Sequence, residues 1–269
     1  MLRLLPKPKY YMNMEYNIPK DSNESIIIDY SHPSKNFNRR ISSLVMHYTA
    51  LDLEESLTAL TGQFTGVSAH YLVPKTALDG ARKVFNLVPD HKRSWHAGVS
   101  AWKNRTNLND TSIGIEIVNL GYKDENGKRI WEPFTDYQIE TIILLAKQIV
   151  QDYGIKPTNI VGHADIAPGR KQDPGPFFPW KKLYENGVGA FYDASELDLK
   201  QKINIDIEQL QKDLKTYGYP VNITGTLDID TRNTLISFQM HFRPSNYSGE
   251  PDAETVAILK NLIKKYCMI

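Results

Sequence analysis

The chain has 269 residues, 41% of them hydrophobic, with 32 Lys and Arg against 31 Asp and Glu, a net charge of +1. That length admits more than one domain, and the balanced charge gives no reason to expect a nucleic acid or an anionic membrane as partner. The lone cysteine, Cys267, excludes an intramolecular disulfide and a structural zinc knuckle, and no apolar run reaches the length of a membrane helix.

Residues 1–40 read as an extended lead-in rich in Pro, Asn and Lys, with one candidate strand at 26–29 and no apolar stretch that would serve as an export signal. Leu44-Val45-Met46-His47-Tyr48 then reads as a short buried strand with a histidine near its end. A helix is predicted near 53–62, and strands at 69–73 and 83–88. His70 falls inside an apolar strand, which suits a structural hydrogen-bonding residue, whereas His96 of Trp95-His96-Ala97-Gly98 is expected in a loop, in reach of substrate.

Ser112-Ile113-Gly114-Ile115-Glu116-Ile117-Val118 alternates as a strand, with the isoleucines on one face and Glu116 on the other. A carboxylate in so apolar a strand needs a partner or a task. A general base acting on water is one such task; membership of a buried ion pair is the other reading. A helix over 136–153 follows a Thr135/Asp136 start signal and stops at Gly154, and a strand is predicted at 159–163.

The run Gly162-His163-Ala164-Asp165-Ile166-Ala167-Pro168-Gly169-Arg170-Lys171-Gln172-Asp173-Pro174-Gly175-Pro176 carries the most information. Proline and glycine restrict it as a loop, and the residue before a proline is biased toward extended backbone. Lys171 and Asp173 should then point the same way. His47, His163 and Asp173 together make a set of two histidines and one carboxylate, the pattern of a catalytic zinc site that keeps one position open. Taken alone, Lys171 would read as a solvated loop charge.

After Trp180 the character changes. Residues 193–204 read as a polar linker, and Ile207, Leu210, Leu214 and Tyr217 recur at helical spacing. Gly225-x-x-Asp228-x-x-Thr231-x-x-x-Leu235 then repeats as Gly249-x-x-Asp252-x-x-Thr255-x-x-x-Leu259. Each copy starts with a capping aspartate, so a bundle of three helices is expected, two of them related by duplication.

These pieces resemble the type 2 N-acetylmuramoyl-L-alanine amidases, the zinc amidases of bacterial cell walls. LVMHYTA at 44–50, VSAHYLV at 67–73, SWHAG at 94–98, SIGIEIVN at 112–119 and GHADIAPGRKQDPGPFFPW at 162–180 occur in the family's order. The resemblance implies an α/β fold, a mixed β-sheet flanked by helices. It implies zinc held by His47, His163 and Asp173, a water activated by Glu116, and an oxyanion stabilised by Lys171. Some relatives carry a catalytic tyrosine where this chain has Ala69, so this chain looks like the branch that relies on Glu116. Residues 205–266, through LQKDLKTYGY, TGTLDIDT and Phe238-Gln239, resemble a peptidoglycan-binding domain.

The expected organisation is a zinc amidase domain over 1–192, a linker over 193–204 and a peptidoglycan-binding bundle over 205–269. The expected activity is cleavage between N-acetylmuramic acid, or its anhydro form, and L-alanine in peptidoglycan and muropeptides, by a monomer in the periplasm or cell envelope. Two alternatives remain on the same scaffold: a non-catalytic peptidoglycan-recognition protein and a phage-type lytic amidase. The bundle is expected to fold alone and tether the enzyme to wall.

Overall fold

A sheet of five strands in the order β3-β2-β6-β1-β9 organises the N-terminal half of the computed structural model, which describes residues 31–62, 64–197 and 205–268. Its strands are β1 (Ser43–Tyr48), β2 (Tyr71–Val73), β3 (Phe85–Asn86), β6 (Ser112–Ile117) and β9 (Ile160–Gly162). β1 pairs in parallel with β6 and β9, β2 pairs in parallel with β6, and β3 runs antiparallel to β2. The sheet is therefore mixed. The central strands are buried on both faces, which explains the near-continuous apolar runs in their sequences.

Helices cover the sheet. α1 (Leu53–Thr61) starts on a capping box in which Asp52 accepts from the Glu55 amide. α2 (Asp136–Tyr153) starts on the Thr135/Gln138 capping box and ends at Gly154 in the left-handed conformation, φ 60°. It buries Ile139, Ile142, Ile143, Ala146 and Ile149, a stripe at helical spacing. Two antiparallel ribbons that the sequence reading did not find complete this half: β4 (Ala101–Trp102) with β5 (Arg105–Thr106), and β7 (Tyr122–Glu125) with β8 (Lys128–Trp131). One helical turn, α3 (His163–Ile166), follows β9 directly, and α4 (Trp180–Glu185) follows the glycine- and proline-rich loop.

The C-terminal helices are α5 (Ile207–Tyr217), α6 (Ile229–Phe242) and α7 (Ala253–Tyr266). The repeated aspartates cap as expected: Asp228 accepts from the Thr231 amide and Asp252 from the Thr255 amide, each at 2.8 Å. The duplication goes further than the sequence pattern showed. Buried Gln211 donates to Thr231 Oγ1 and accepts from the Gly225 amide, and buried Gln239 donates to Thr255 Oγ1 and accepts from the Gly249 amide.

The expectation of a self-contained bundle on a tether needs revision. Leu210, Leu214, Tyr217, Leu235, Phe238 and Leu259 share one continuous apolar core with Leu44, Ile115, Trp102 and Trp180. The described residues from Arg39 onward form one compact unit. Of the expected linker, 193–197 pack on α7: the Asp193 amide donates to Asn261 Oδ1, and Glu196 pairs with Lys264 at 2.9 Å. Residues 198–204 and the strand expected at 26–29 lie outside the described residues. Residues 31–38 carry no helix or strand.

Candidate metal centre

The β1–β6 register sets His47 directly opposite Glu116. β9 runs on the other side of β1 and delivers His163 as the first residue of α3. The loop after α3 folds back, with the Ala164 amide donating to the Asp173 carbonyl at 2.8 Å. That bond brings Asp173 beside His163. The loop is a succession of turns, with the Arg170 and Lys171 amides both donating to the Ala167 carbonyl, and not the extended segment that Pro174 suggested.

Three atoms converge. His47 Nδ1 lies 3.0 Å from His163 Nδ1 and 2.9 Å from Asp173 Oδ2, and His163 Nδ1 lies 3.0 Å from the same oxygen. All three residues are buried, and they are the cluster among the described residues whose ligand atoms lie close enough to share a metal ion. The donor set fits zinc. A tetrahedral zinc with bonds of about 2.0–2.1 Å holds its ligand atoms roughly 3.3 Å apart, near the spacings seen here.

The electrostatics agree with that fit. Burial, reinforced by the neighbouring His163, lowers the His47 pKa to about 4, so its ring offers a lone pair at neutral pH. Burial opposes ionisation of Asp173, but the two histidines, His163 foremost, outweigh it and hold the carboxyl well below the usual range. The remaining ring nitrogens are fixed by the protein. His163 Nε2 donates to the Ala97 carbonyl at 3.0 Å, an oxygen that Arg170 Nη2 also reaches at 2.8 Å. Such outer hydrogen bonds select the tautomer that leaves Nδ1 free to ligate.

Glu116 stands beside this set, Oε1 4.0 Å from His47 Nδ1. Its Oε2 is buried with no hydrogen-bond partner among the described residues. Burial, with the Asp173 charge adding to it and Lys171 opposing, raises its pKa to about 8. A carboxylate held near ligating atoms with one oxygen unsatisfied is poised to exchange a proton with something that enters the cleft. That cleft has a volume of ≈ 420 Å³ and is lined by Tyr48, Trp95, Glu116, Lys171 and Asp173 among others. Lys171 is exposed at its mouth.

His96 lies in a loop and lines the cleft, as expected, but both of its ring nitrogens are engaged within the protein. Its ring is buried, its Nδ1 sits 2.9 Å from His47 Nε2, and its Nε2 sits 3.1 Å from Ser112 Oγ. Both nitrogens are engaged inside the protein, so a substrate contact through either would break an internal bond. Ser112 in turn donates to the Leu108 carbonyl at 2.5 Å. The chain of donors has one consistent direction: Ser112 donates to Leu108, His96 Nε2 to Ser112, and His47 Nε2 to His96. His70 is structural, as its sequence context suggested. Its Nδ1 accepts from Ser94 Oγ and the Gly114 amide, and its Nε2 donates to the Lys92 carbonyl.

Ser112, Arg170 and Asp165 were not singled out from sequence. Serine on a buried strand and aspartate one residue after His163-Ala164 carry no signal of their own, because their partners lie far away in the chain.

The comparisons agree with this geometry. A family model described as N-acetylmuramoyl-L-alanine amidase matches residues 37–176, and one described as a putative peptidoglycan binding domain matches residues 204–259. The N-acetylmuramoyl-L-alanine amidase AmiD of Escherichia coli (strain K12) is 46% identical over 234 residues, 84% of each chain. The 1,6-anhydro-N-acetylmuramyl-L-alanine amidase AmpD of Enterobacter cloacae is 40% identical over 102 residues, 38% of this chain and 50% of that protein. The structure of E. coli AmiD with anhydro-N-acetylmuramic acid-L-Ala-D-gamma-Glu-L-Lys superposes with a TM-score of 0.84 at 44% identity, covering 90% of this chain and 96% of that one. Pseudomonas aeruginosa AmpDh3 in complex with anhydromuramic pentapeptide gives 0.83 at 44% identity, covering 91% and 100%. With the matched segments running through every strand and loop that builds the cluster, the chain belongs to the N-acetylmuramoyl-L-alanine amidase family.

Proposed function

We propose that the protein is a zinc-dependent N-acetylmuramoyl-L-alanine amidase. It hydrolyses the amide between N-acetylmuramic acid, or its anhydro form, and L-alanine in peptidoglycan and muropeptides. The observation that carries the reading is the convergence of His47 Nδ1, His163 Nδ1 and Asp173 Oδ2 beside a buried carboxylate with an unpartnered oxygen. The complete ligand set also speaks against a recognition protein that has lost its chemistry.

Zinc bound at these three atoms supplies Lewis acidity, polarising a carbonyl and easing proton loss from water. The residues of the chain do the rest. Glu116 accepts the proton of the attacking water and later gives it to the leaving amine of L-alanine. Burial brings its pKa to about 8, near neutral pH, which suits a group that must both take and give a proton. Lys171, at the mouth of the cleft, faces the negative charge that develops on the carbonyl oxygen. His96 and the Ala97 carbonyl hold the two imidazoles in the ligating tautomer.

The site is assembled from one chain, which supports a monomer as the working unit. No helix among the described residues is long and apolar enough to cross a membrane. We propose that it works in the periplasm or cell envelope, where its wall substrate is found. We assign residues 1–192 to the amidase part, 193–204 to the connection and 205–269 to the peptidoglycan-binding part.

Mass spectrometry of digested muropeptides tests the reaction. Free peptides beginning with L-alanine, together with sugars ending in a lactyl carboxylate, are expected. Cleavage between sugars, or within the peptide stem, would refute it.

A further inference from the structure

We infer that the C-terminal helices belong to the metal centre's support: Tyr219 and His241 position Asp165, and Asp165 positions His163. This rests on the zinc reading above and deepens it.

Asp165 shares the single turn of α3 with His163 and is 2% exposed. Each of its oxygens is used. Oδ1 accepts from the Tyr219 hydroxyl at 2.6 Å. Oδ2 accepts from the Gly162 amide at 2.7 Å and from His241 Nδ1 at 2.7 Å. A buried carboxylate is tolerated when its lone pairs are met by donors. Here both side-chain donors come from the C-terminal part: Tyr219 follows α5, and His241 lies on α6.

The Gly162 amide ties this cluster to the metal centre. Gly162 is the residue immediately before His163, and its amide is held by the same oxygen that meets His241. On its other side the turn is held by the Ala164 amide on the Asp173 carbonyl. His163 is therefore gripped between two aspartates, one a ligand and one a clamp. The clamp is stiff. The His241 ring stacks on Trp180 with centroids 3.8 Å apart and planes 12° from parallel, so its nitrogen has little freedom to swing away. The loop that continues to Lys171 and Asp173 also lies tight on α6: a Cβ on Gly169 would stand 2.4 Å from Asn233 Nδ2.

Removing a group hydrogen-bonded to a metal ligand typically costs about 10–100-fold in metal affinity. Tyr219 and His241 are positioning residues one step further out, acting through Asp165 and the Gly162 amide, so a loss at the lower end of that range is expected. The test uses the full chain and the variants Tyr219→Phe, His241→Phe and the double variant. Each keeps an aromatic ring and removes only a donor to Asp165. Tyr247→Phe is the control. It removes the Trp131 Nε1–Tyr247 hydroxyl bond of 3.0 Å, which also joins the two parts of the chain but does not reach Asp165. Zinc affinity is measured by competition with a chelator, alongside thermal melts. The visible absorption of the cobalt(II)-substituted protein reports ligand geometry directly.

The double variant is expected to stay folded, to bind zinc about tenfold more weakly, the lower end of the range for direct partners of a ligand, and to shift the cobalt bands. Tyr247→Phe should keep the wild-type affinity and spectrum. Zinc affinity within twofold of wild type in the double variant overturns the inference, as does an equal loss in the control. Should the double variant fail to fold, Tyr219→Phe, smaller by one oxygen atom, decides by the same criterion. A wild-type chain that holds no zinc would instead overturn the metal reading itself.

Discussion

His96 Nδ1 lies 2.9 Å from His47 Nε2, and the space its ring occupies exists because residue 114 has no side chain. A Cβ on Gly114 would meet His96 Cγ at 2.4 Å and Nδ1 at 2.6 Å. Gly114→Ala would therefore push the ring off the nitrogen it supports. Overpacking of this kind costs about 1–3 kcal/mol. We expect a lowered melting temperature and a loss of zinc affinity together. A Gly114→Ala protein that melts and binds zinc like wild type would show that the His96 ring is not held where the structure has it.

Zinc stoichiometry tests the ligand assignment. The wild-type chain should retain about one equivalent after mild dialysis, because three protein ligands converge on one point. His163→Ala and Asp173→Ala each remove one of those atoms and should leave little metal by elemental analysis. Wild-type zinc content in either variant would remove that residue from the centre.

How much of this was legible beforehand follows from where each partner lies in the chain. β1, β6 and α2 were readable because their apolar patterns and caps are local, and the capping box at Thr135 with the stop at Gly154 places α2 to the residue. His47, Glu116, His163 and Asp173 were readable as a joint pattern, and the β1–β6 register then set two of them side by side. The loop position of His96 beside the cleft was readable, but its bonds to His47 and Ser112 were not, because those partners lie far away in the chain. Nor was the gap that Gly114 leaves for its ring. The β7–β8 ribbon was missed because Tyr122–Glu125 and Lys128–Arg129 are mostly polar and exposed, leaving no alternation to detect.

Glu116 and Lys171 separate chemistry from binding. Neither is among the three converging atoms, so Glu116→Gln and Lys171→Ala should keep zinc. Removing an oxyanion stabiliser typically costs about 10²–10³ in rate, and losing the proton acceptor a comparable or larger factor, about 10²–10⁴. Steady-state kinetics on a soluble muropeptide should show the fall in kcat. Turnover near wild type in both variants, with zinc retained, would mean that other groups carry the proton and the charge.

The shared core makes a prediction opposite to the one the polar linker invited. A chain shortened to end after Asp193 would lose the partners of Trp102, whose ring packs edge-on against Tyr219 at 4.9 Å and near Tyr217 at 6.1 Å. It would also lose the hydrogen bond from the Lys103 amide to the Gly218 carbonyl, the donors to Asp165, and Phe242 beside Phe191. Each large apolar side chain returned to water costs about 1.5–3 kcal/mol, against a total stability of about 5–15 kcal/mol for an ordinary domain. Several are uncovered at once, so the shortened chain should aggregate or melt far below the full-length protein, and it should cleave even small soluble muropeptides poorly. Binding of the full-length protein to sacculi in a pull-down is compatible with either arrangement and does not discriminate. Thermal melting does: a shortened chain that unfolds cooperatively at the full-length temperature, and turns over soluble substrate at the full-length rate, would restore the picture of an independent catalytic domain on a tether.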